Sequence, residues 1–362
     1  MKLPIDLKVV IEAATDIESA RNTPVSVSVL IDDSAPGDVA AHVRSAFVGA
    51  GAHARVTVGY FVGPAFSPYE GDDMAVIVAG FSEEVGRRAA EIRAAGVPVM
   101  VVTSMPRLVA DMASAYGNPI PEGDLVAPEG VEGCEADGDA ACESVEVAGV
   151  NAQSPEILDA PIPIDAAAAA ALDCRMGEWV VAACREKRLA LALSFPFVRR
   201  PLSLEAVSAT SLQNAGIGLV LFIPGADMPL MTLNQAKMLL QIAAAYGEPM
   251  SVARVKELAA IVGGAFACRS VARQVAGAVP AIGCAVKAGV GYAGTKAMGL
   301  AAVEYFERGG NIAGLAGVVS TATAKATQIA GDVAATPAGA RVLSTVKTAV
   351  RQGAASVLKK TE

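Results

Sequence analysis

"GVGYAGTKAMG" runs from Gly289 to Gly299, and its reading decides what the second half of the chain is. Two glycines five apart, followed by Thr295 and Lys296, come close to the Walker A pattern G-x-x-x-x-G-K-[ST], with the last two residues exchanged. A Walker loop needs a preceding strand to aim backbone N–H groups at the phosphates. It also needs a lysine directly after the second glycine and a hydroxyl after that to hold magnesium. Here Thr295 stands in the lysine position, and the preceding "PAIGCAVKA" (Pro280–Ala288) is already in helical register. The same residues fit a helix: Ala281, Ala285, Gly289, Ala293, Ala297 and Ala301 recur at every fourth position and form one narrow ridge of small side chains. Such a ridge lets another helix approach closely, from the same chain or from a second copy in a homo-oligomer.

Outward from this stretch, the remainder of the second half also reads as helix. "DAAAAAALDCRMGEWVVAACREKRLALAL" (Asp165–Leu193) opens on an aspartate cap, and the prolines of "SFPFVRRPL" (Ser194–Leu202) stop it. "TLNQAKMLLQIAAAYG" opens with a capping box, Thr232 as cap and Gln235 three residues on, and ends at Gly247. "SVARVKELAAIVGG" keeps Val252, Val255, Leu258 and Val262 on one face, and the tail "RVLSTVKTAVRQGAASVLKK" (Arg341–Lys360) is a cationic amphipathic helix.

The first part alternates strand and helix. Strands are expected at "VSVSVLI" (Val25–Ile31), "ARVTVGYFV" (Ala54–Val62), "MAVIVAG" (Met74–Gly80) and "VPVMVVTS" (Val97–Ser104). Helices are expected between and after them at Gly37–Gly51, Ser82–Gly96 and Met105–Gly117. Continuous apolar strands alternating with helices imply parallel crossovers in a doubly wound α/β layer. From Asn118 the pattern gives way to Pro, Gly, Asp and Glu, as in a solvated acidic linker. The expected organisation is therefore an α/β domain over 1–117, an acidic disordered linker over 118–164, a helical domain over 165–320 and a basic amphipathic tail over 321–362.

Charge divides along the chain. Up to Asp165 there are 9 basic and 26 acidic residues, and from Ala166 onward 20 basic and 11 acidic, within a net charge of -8. A basic half suggests an anionic partner: lipid head groups, nucleic acid, or the acidic half itself. Few aromatics for stacking (4% of the chain) and no recognised motif weigh against nucleic acid. The six cysteines form no C-x-x-C pair and neither His42 nor His53 adjoins one, so no metal is expected. Free thiols behind a start with no export signal point to a reducing, cytoplasmic setting.

A phosphate loop would be expected after the first strand of the layer. There "LIDDSAPGD" (Leu30–Asp38) has one glycine, no lysine and three acids. "VVTSMP" (Val101–Pro106) lacks the Asn-Lys-x-Asp signature that reads guanine. No nucleotide, other cofactor or catalytic residue is assigned. Any ligand of the layer would sit near Asp32, Asp33, Gly80 and Ser104, at the carboxyl ends of the strands. No nucleophile–base pair is expected, since neither histidine lies beside a suitable partner in the sequence. Mean hydropathy is high, at +0.45, yet the longest apolar stretch, Ala281–Val303, contains Lys287 and Lys296. Each costs roughly 2.5–3.5 kcal/mol at a bilayer centre. A span, a half-inserted hairpin and a soluble helical core all remain open.

The segments "FPFVRRPL", "FIPGADMPLMTLNQAKMLLQIAAAYG", "VKELAAIVGGAFACRSVARQVAGAVPAIG" and "AVKAGVGYAGTKAMGLAAVEYF", within Phe195–Glu307, resemble a bacterial GTPase-associated family of unknown function that includes the YcjF-type inner-membrane proteins. The resemblance implies a helical, membrane-associated unit beside a GTPase-like unit, with a GTPase or another protein as partner. Within it, Asp227, Asn234, Gln235 and Lys237 serve either local capping or a polar contact with a partner domain. Arg199 and Arg200, beside "FPF", either rest at a lipid interface or cover the end of a helix. The leading expectation is a non-enzymatic membrane-associated scaffold or regulatory protein with a degenerate GTPase-like domain. The alternatives are a nucleotide- or small-molecule-binding enzyme built on the α/β layer, and nucleic-acid binding by the basic half.

Overall fold

The computed structural model describes residues 7–51, 53–61, 71–128, 161–220, 227–253, 255–256, 283–311, 315, 317–318 and 321. The protein is mixed α/β, with one five-stranded parallel sheet and a majority of helix. It divides into two compact units. One is Asn22–Pro201, and the other joins Met1–Arg21 to Leu202–Glu362.

In the sheet unit, β1 (Val25–Ile31), β2 (Ala54–Tyr60), β3 (Met74–Val78), β4 (Val99–Val102) and β5 (Leu125–Val126) lie in the order β2-β1-β3-β4-β5. The connections carry α2 (Gly37–Val48), α3 (Glu84–Ala94) and α4 (Pro106–Ala115). All pairings are parallel, and β1 matches β2 without interruption from Val25↔Ala54 to Ile31↔Tyr60. The strands alternate, so each contributes to two faces. Leu30, Ala75, Ile77, Val99 and Val101 share one core with Val85, Ala89 and Ile92 of α3 and Val109 of α4. Val27, Val29, Met74, Val76, Val78, Met100 and Val102 point the other way and are just as buried.

That second face draws on residues from beyond the acidic stretch. Phe47 of α2 packs against Phe195 and Phe197, with ring centroids 5.0 and 5.2 Å away. His42 of α2 bonds Asp173 on α5 (Ala166–Ala183), and α5 also contacts β5. The sheet unit is thus longer than the 1–117 expected. Leu125–Val126 forms a strand inside the stretch read as linker, and residues 129–160 of that stretch lie outside the described residues.

Local chemistry explains the element ends. Asp165 caps α5 by accepting from the Ala168 N–H at 2.8 Å. Gly96, Gly117 and Gly247 follow helices with φ of 81°, 76° and 87°, the left-handed geometry that glycine adopts without a Cβ penalty. The single helix expected from Asp165 breaks at Cys184–Lys187, and α6 (Arg188–Ser194) follows. Pro196 does not end a helix; it starts α7 (Pro196–Val220), because the first helical position has no N–H bond to lose. Pro201 lies inside α7.

The second unit contains α1 (Leu7–Arg21), the part of α7 from Leu202, α8 (Asp227–Ala245) and α9 (Gly283–Glu307). The Gly289–Gly299 stretch is therefore helical, well inside α9. Among the described residues, no helix is long and apolar enough to cross a membrane.

Deleting either ring from the Phe47–Phe195 pair should cost about 3–5 kcal/mol. In a double-mutant cycle the two changes should couple by about 0.5–1.5 kcal/mol, read from urea unfolding of Phe47→Ala, Phe195→Ala and the double variant. Strict additivity would mean that Phe195 does not complete the sheet's second face.

Candidate functional site

Two clusters of polar side chains are built by the fold, one in each unit. In the sheet unit the strand order reverses direction between β1 and β3. A crevice opens at such a point in parallel α/β sheets, and ligands enter there. Asp32 follows β1 directly and is almost completely buried. Its Oδ1 accepts the Ser34 N–H at 3.1 Å. Its Oδ2 accepts the Ser34 hydroxyl at 2.9 Å, the Gly80 N–H at 2.9 Å and the Ser82 N–H at 3.2 Å. Ser34 Oγ in turn accepts the Phe81 N–H at 2.6 Å. The loops after β1 and β3 are thereby laced to each other. They lie so close that a Cβ on Gly80 would strike the backbone of Ser34 and Ala35.

This arrangement has a direct chemical consequence. The Asp32 carboxylate occupies the N–H groups of Ser34, Gly80 and Ser82, in the two loops that flank the crevice. That carboxylate also repels anions. Asp33 beside it is exposed. Ser104, after β4, is buried, and its Oγ has no hydrogen-bond partner among the described residues. Its carbonyl accepts the Ile162 N–H at 3.1 Å, and the Asp38 carboxylate accepts the Ile164 N–H at 3.1 Å. The segment entering α5 thus runs across the carboxyl ends of the strands.

His42 has a partner that its sequence neighbourhood does not show, a carboxylate and not a nucleophile. His42 Nε2 lies 2.8 Å from Asp173 Oδ1, a contact between residues 131 apart in sequence that no local pattern signals. The pair ties α2 to α5. Arg199 covers a helix end, with Nε donating to the Ala192 carbonyl at 3.2 Å and Nη2 to the Leu193 carbonyl at 3.4 Å, in the last turn of α6. Arg200 is exposed.

At the opposite end of the sheet, Asp72 accepts the hydroxyls of Ser26 and Ser28 and pairs with Arg55 at 3.1 Å, while Asp73 pairs with Lys187 at 2.7 Å. The Cys184 thiol donates to the Asp73 carbonyl, and burial, helped by the Asp73 charge, pushes its pKa up to about 12. It is a packing thiol and no nucleophile at neutral pH. Among the described residues, no group of three or more His, Cys, Asp or Glu side chains could hold a metal ion.

In the helical unit, Thr295 is the node of a buried network. Its hydroxyl donates to the Gly291 carbonyl at 2.7 Å and accepts from Asn214 Nδ2 at 2.9 Å and Gln235 Nε2 at 2.8 Å, which uses its full capacity. Asn214 Nδ2 also reaches the Met231 carbonyl at 3.3 Å, and its Oδ1 accepts from Asn234 Nδ2 at 3.0 Å. Asn214, Gln235 and Thr295 are buried and Asn234 half-buried. The capping box is thus corrected: α8 starts at Asp227, because Pro229 in the first turn gives up no helical hydrogen bond. Thr232 and Gln235 lie inside the helix, and Gln235 points at α9. Lys237 is half-buried, and the side chain of Asp227 lies outside the described residues.

The close helix approach is made at Gly291 and Gly299. A Cβ on Gly291 would meet Met231 and the Asn214 carbonyl, and one on Gly299 would meet Val207. Ala293, Ala297 and Ala301 of the ridge are half-buried and lie two residues on from the Gly291–Thr295–Gly299 line, on nearly the opposite side of α9. Ala281 and the side chains of Ala285 and Gly289 lie outside the described residues. Asn214 was missed in the sequence, although Thr210 and Asn214, four apart in a buried helix, carried the signal.

No family model, no curated protein and no solved structure matches the chain.

Thr295→Val keeps the volume but strands two amide donors, each orphan costing about 1–3 kcal/mol. Thr295→Ser should restore most of the loss, and Lys296→Ala should leave stability nearly unchanged. Chemical denaturation of the three variants checks this. For Cys184 the folded pKa lies above the unfolded value of about 8.5. Its contribution is therefore complete below that pH and is lost as pH rises toward 12. Cys184→Ala should flatten that alkaline decline in melting temperature, and maleimide should label Cys184 only on unfolding.

Proposed function

We propose that this chain is a non-enzymatic scaffold or regulatory protein acting at an anionic membrane surface, with a GTPase-like sheet unit that no longer takes a nucleotide. A GTPase or another protein is its partner. The observation that carries this reading is the Asp32 carboxylate, seated on the Ser34, Gly80 and Ser82 N–H groups at the reversal point of the sheet. In a nucleotide-binding sheet of this kind the turn after the first strand, where Asp32 and Ser34 lie, turns N–H groups and not a carboxylate toward a phosphate. The membrane part of the reading is supported by the excess of 20 basic over 11 acidic residues from Ala166 onward.

Titration calorimetry of the full chain with GTP and with ATP should give no binding at micromolar ligand. Flotation with vesicles should recover the protein with anionic lipid and not with neutral lipid, and added salt should weaken the association. Measurable nucleotide binding would replace this reading with that of an enzyme using the sheet crevice. Failure to float with anionic vesicles, even at low salt, would remove the membrane from it.

A further inference from the structure

β2 is an edge strand: among the described residues nothing pairs with its outer side. Natural sheets guard such edges with lysine, proline, a bulge or a very short strand. The opposite edge follows this rule, since β5 is two residues long. β2 does not. It has seven residues, "ARVTVGY", with no lysine and no proline, in unbroken register with β1. Val58 is 37% exposed and Tyr60 50%, and Val48 at the end of α2, which leads into this strand, is 67% exposed. The one charged residue, Arg55, is engaged with Ser26 and Asp72 of its own chain.

The direction of each backbone group follows from the β1 ladder. Val25 N–H bonds the His53 carbonyl, and Phe61 N–H bonds the Ile31 carbonyl. In a parallel pair alternate residues bond the same neighbour. The odd residues of β2 therefore turn their N–H and C=O groups to β1, and Ala54, Val56, Val58 and Tyr60 turn theirs outward. An antiparallel copy of the same strand, related by a two-fold axis at Thr57, pairs all seven residues. Val56 then exchanges both hydrogen bonds with Val58 of the second copy, and Ala54 does so with Tyr60. The two Thr57 side chains face each other as a non-hydrogen-bonded pair. Arg55 falls opposite Gly59, so the axis sets no like charges against each other.

We propose that β2 is a self-association edge, and that two copies of this chain join through antiparallel β2 strands into one continuous ten-stranded sheet. The strand is its own complement in hydrogen bonding and in side-chain size, with Ala54 opposite Tyr60 and Gly59 opposite Arg55, and it opposes no like charges, which favours a second copy over a foreign peptide. This inference is independent of the proposed function.

The test uses the full-length protein. Sedimentation velocity should show a dimer for the wild type. Val58→Pro removes an N–H that points away from β1, so it should give a monomer with an unchanged far-UV spectrum. Across a non-hydrogen-bonded pair the Cα atoms lie about 4.5 Å apart, within disulfide range. Thr57→Cys should therefore crosslink at dimer mass on mild oxidation, above the background of the wild type run beside it. Arg55→Cys should not, because its two copies lie about 13 Å apart along the strands. A monomeric wild type, a folded Val58→Pro that remains dimeric, or a Thr57→Cys that does not crosslink would each overturn the proposal. If Val58→Pro fails to fold, the Thr57→Cys result alone decides, in either direction.

Discussion

A parallel sheet whose strands are apolar on both faces must be covered on both faces, and the sheet unit is organised by that requirement. Each fully buried Val, Leu or Ile contributes roughly 1.5–3 kcal/mol, which is forfeited wherever a face stays wet. α3 and α4 cover Leu30, Ile77 and Val101 from within the alternating region. The other face exposes a second full set, Val29, Val76, Val78 and Met100, for which the alternating region offers only α2. Phe195 and Phe197, far along the chain, complete it against Phe47. This is why the unit continues to Pro201, past the acidic stretch, and why that stretch is an interruption within a unit rather than a border between two.

The same economy of polar groups governs both units. Asp32 and Thr295 are buried at the two places where the sequence comes nearest to a nucleotide motif, and each is satisfied by the chain itself. Asp32 takes up backbone donors of two loops, and Thr295 takes up two amide donors from two helices. A buried acceptor of this kind fixes register, because a shift of one residue would strand several donors at once.

Much of the sheet was legible in the sequence. Val25–Ile31 and Met74–Val78 are β-branched runs bounded by breakers, and the helices that end on Gly96 and Gly117 carried their own stop signals. Those features are local. What could not be read depends on contacts distant in sequence. Leu125–Val126 is too short to show a period and exists because β4 offers it an edge. Thr232 and Gln235 imitate a cap perfectly well as a local pattern, yet the helix had already begun at Asp227. The ridge of alanines has the right period, but period does not say which side of a helix is covered. That was decided by Gly291 and Gly299, where Met231 and Val207 press in. His42 and Asp173 meet only once the sheet has been closed from above.

The helical unit is assembled from pieces on either side of the sheet unit, and this sets an order for synthesis. α1 packs on α8, and Arg21 Nη1 donates to the Glu248 carbonyl at 2.7 Å. A growing chain moves at about 5–20 residues per second, so α1 waits about 10–40 s before its partner helix has left the ribosome. In that interval Asn22–Pro201 emerges as an unbroken stretch and is free to fold first. The apolar side of α1, with Val10, Ala14 and Ile17, meanwhile stays uncovered. In a living cell those residues offer a chaperone an apolar surface until α8 arrives.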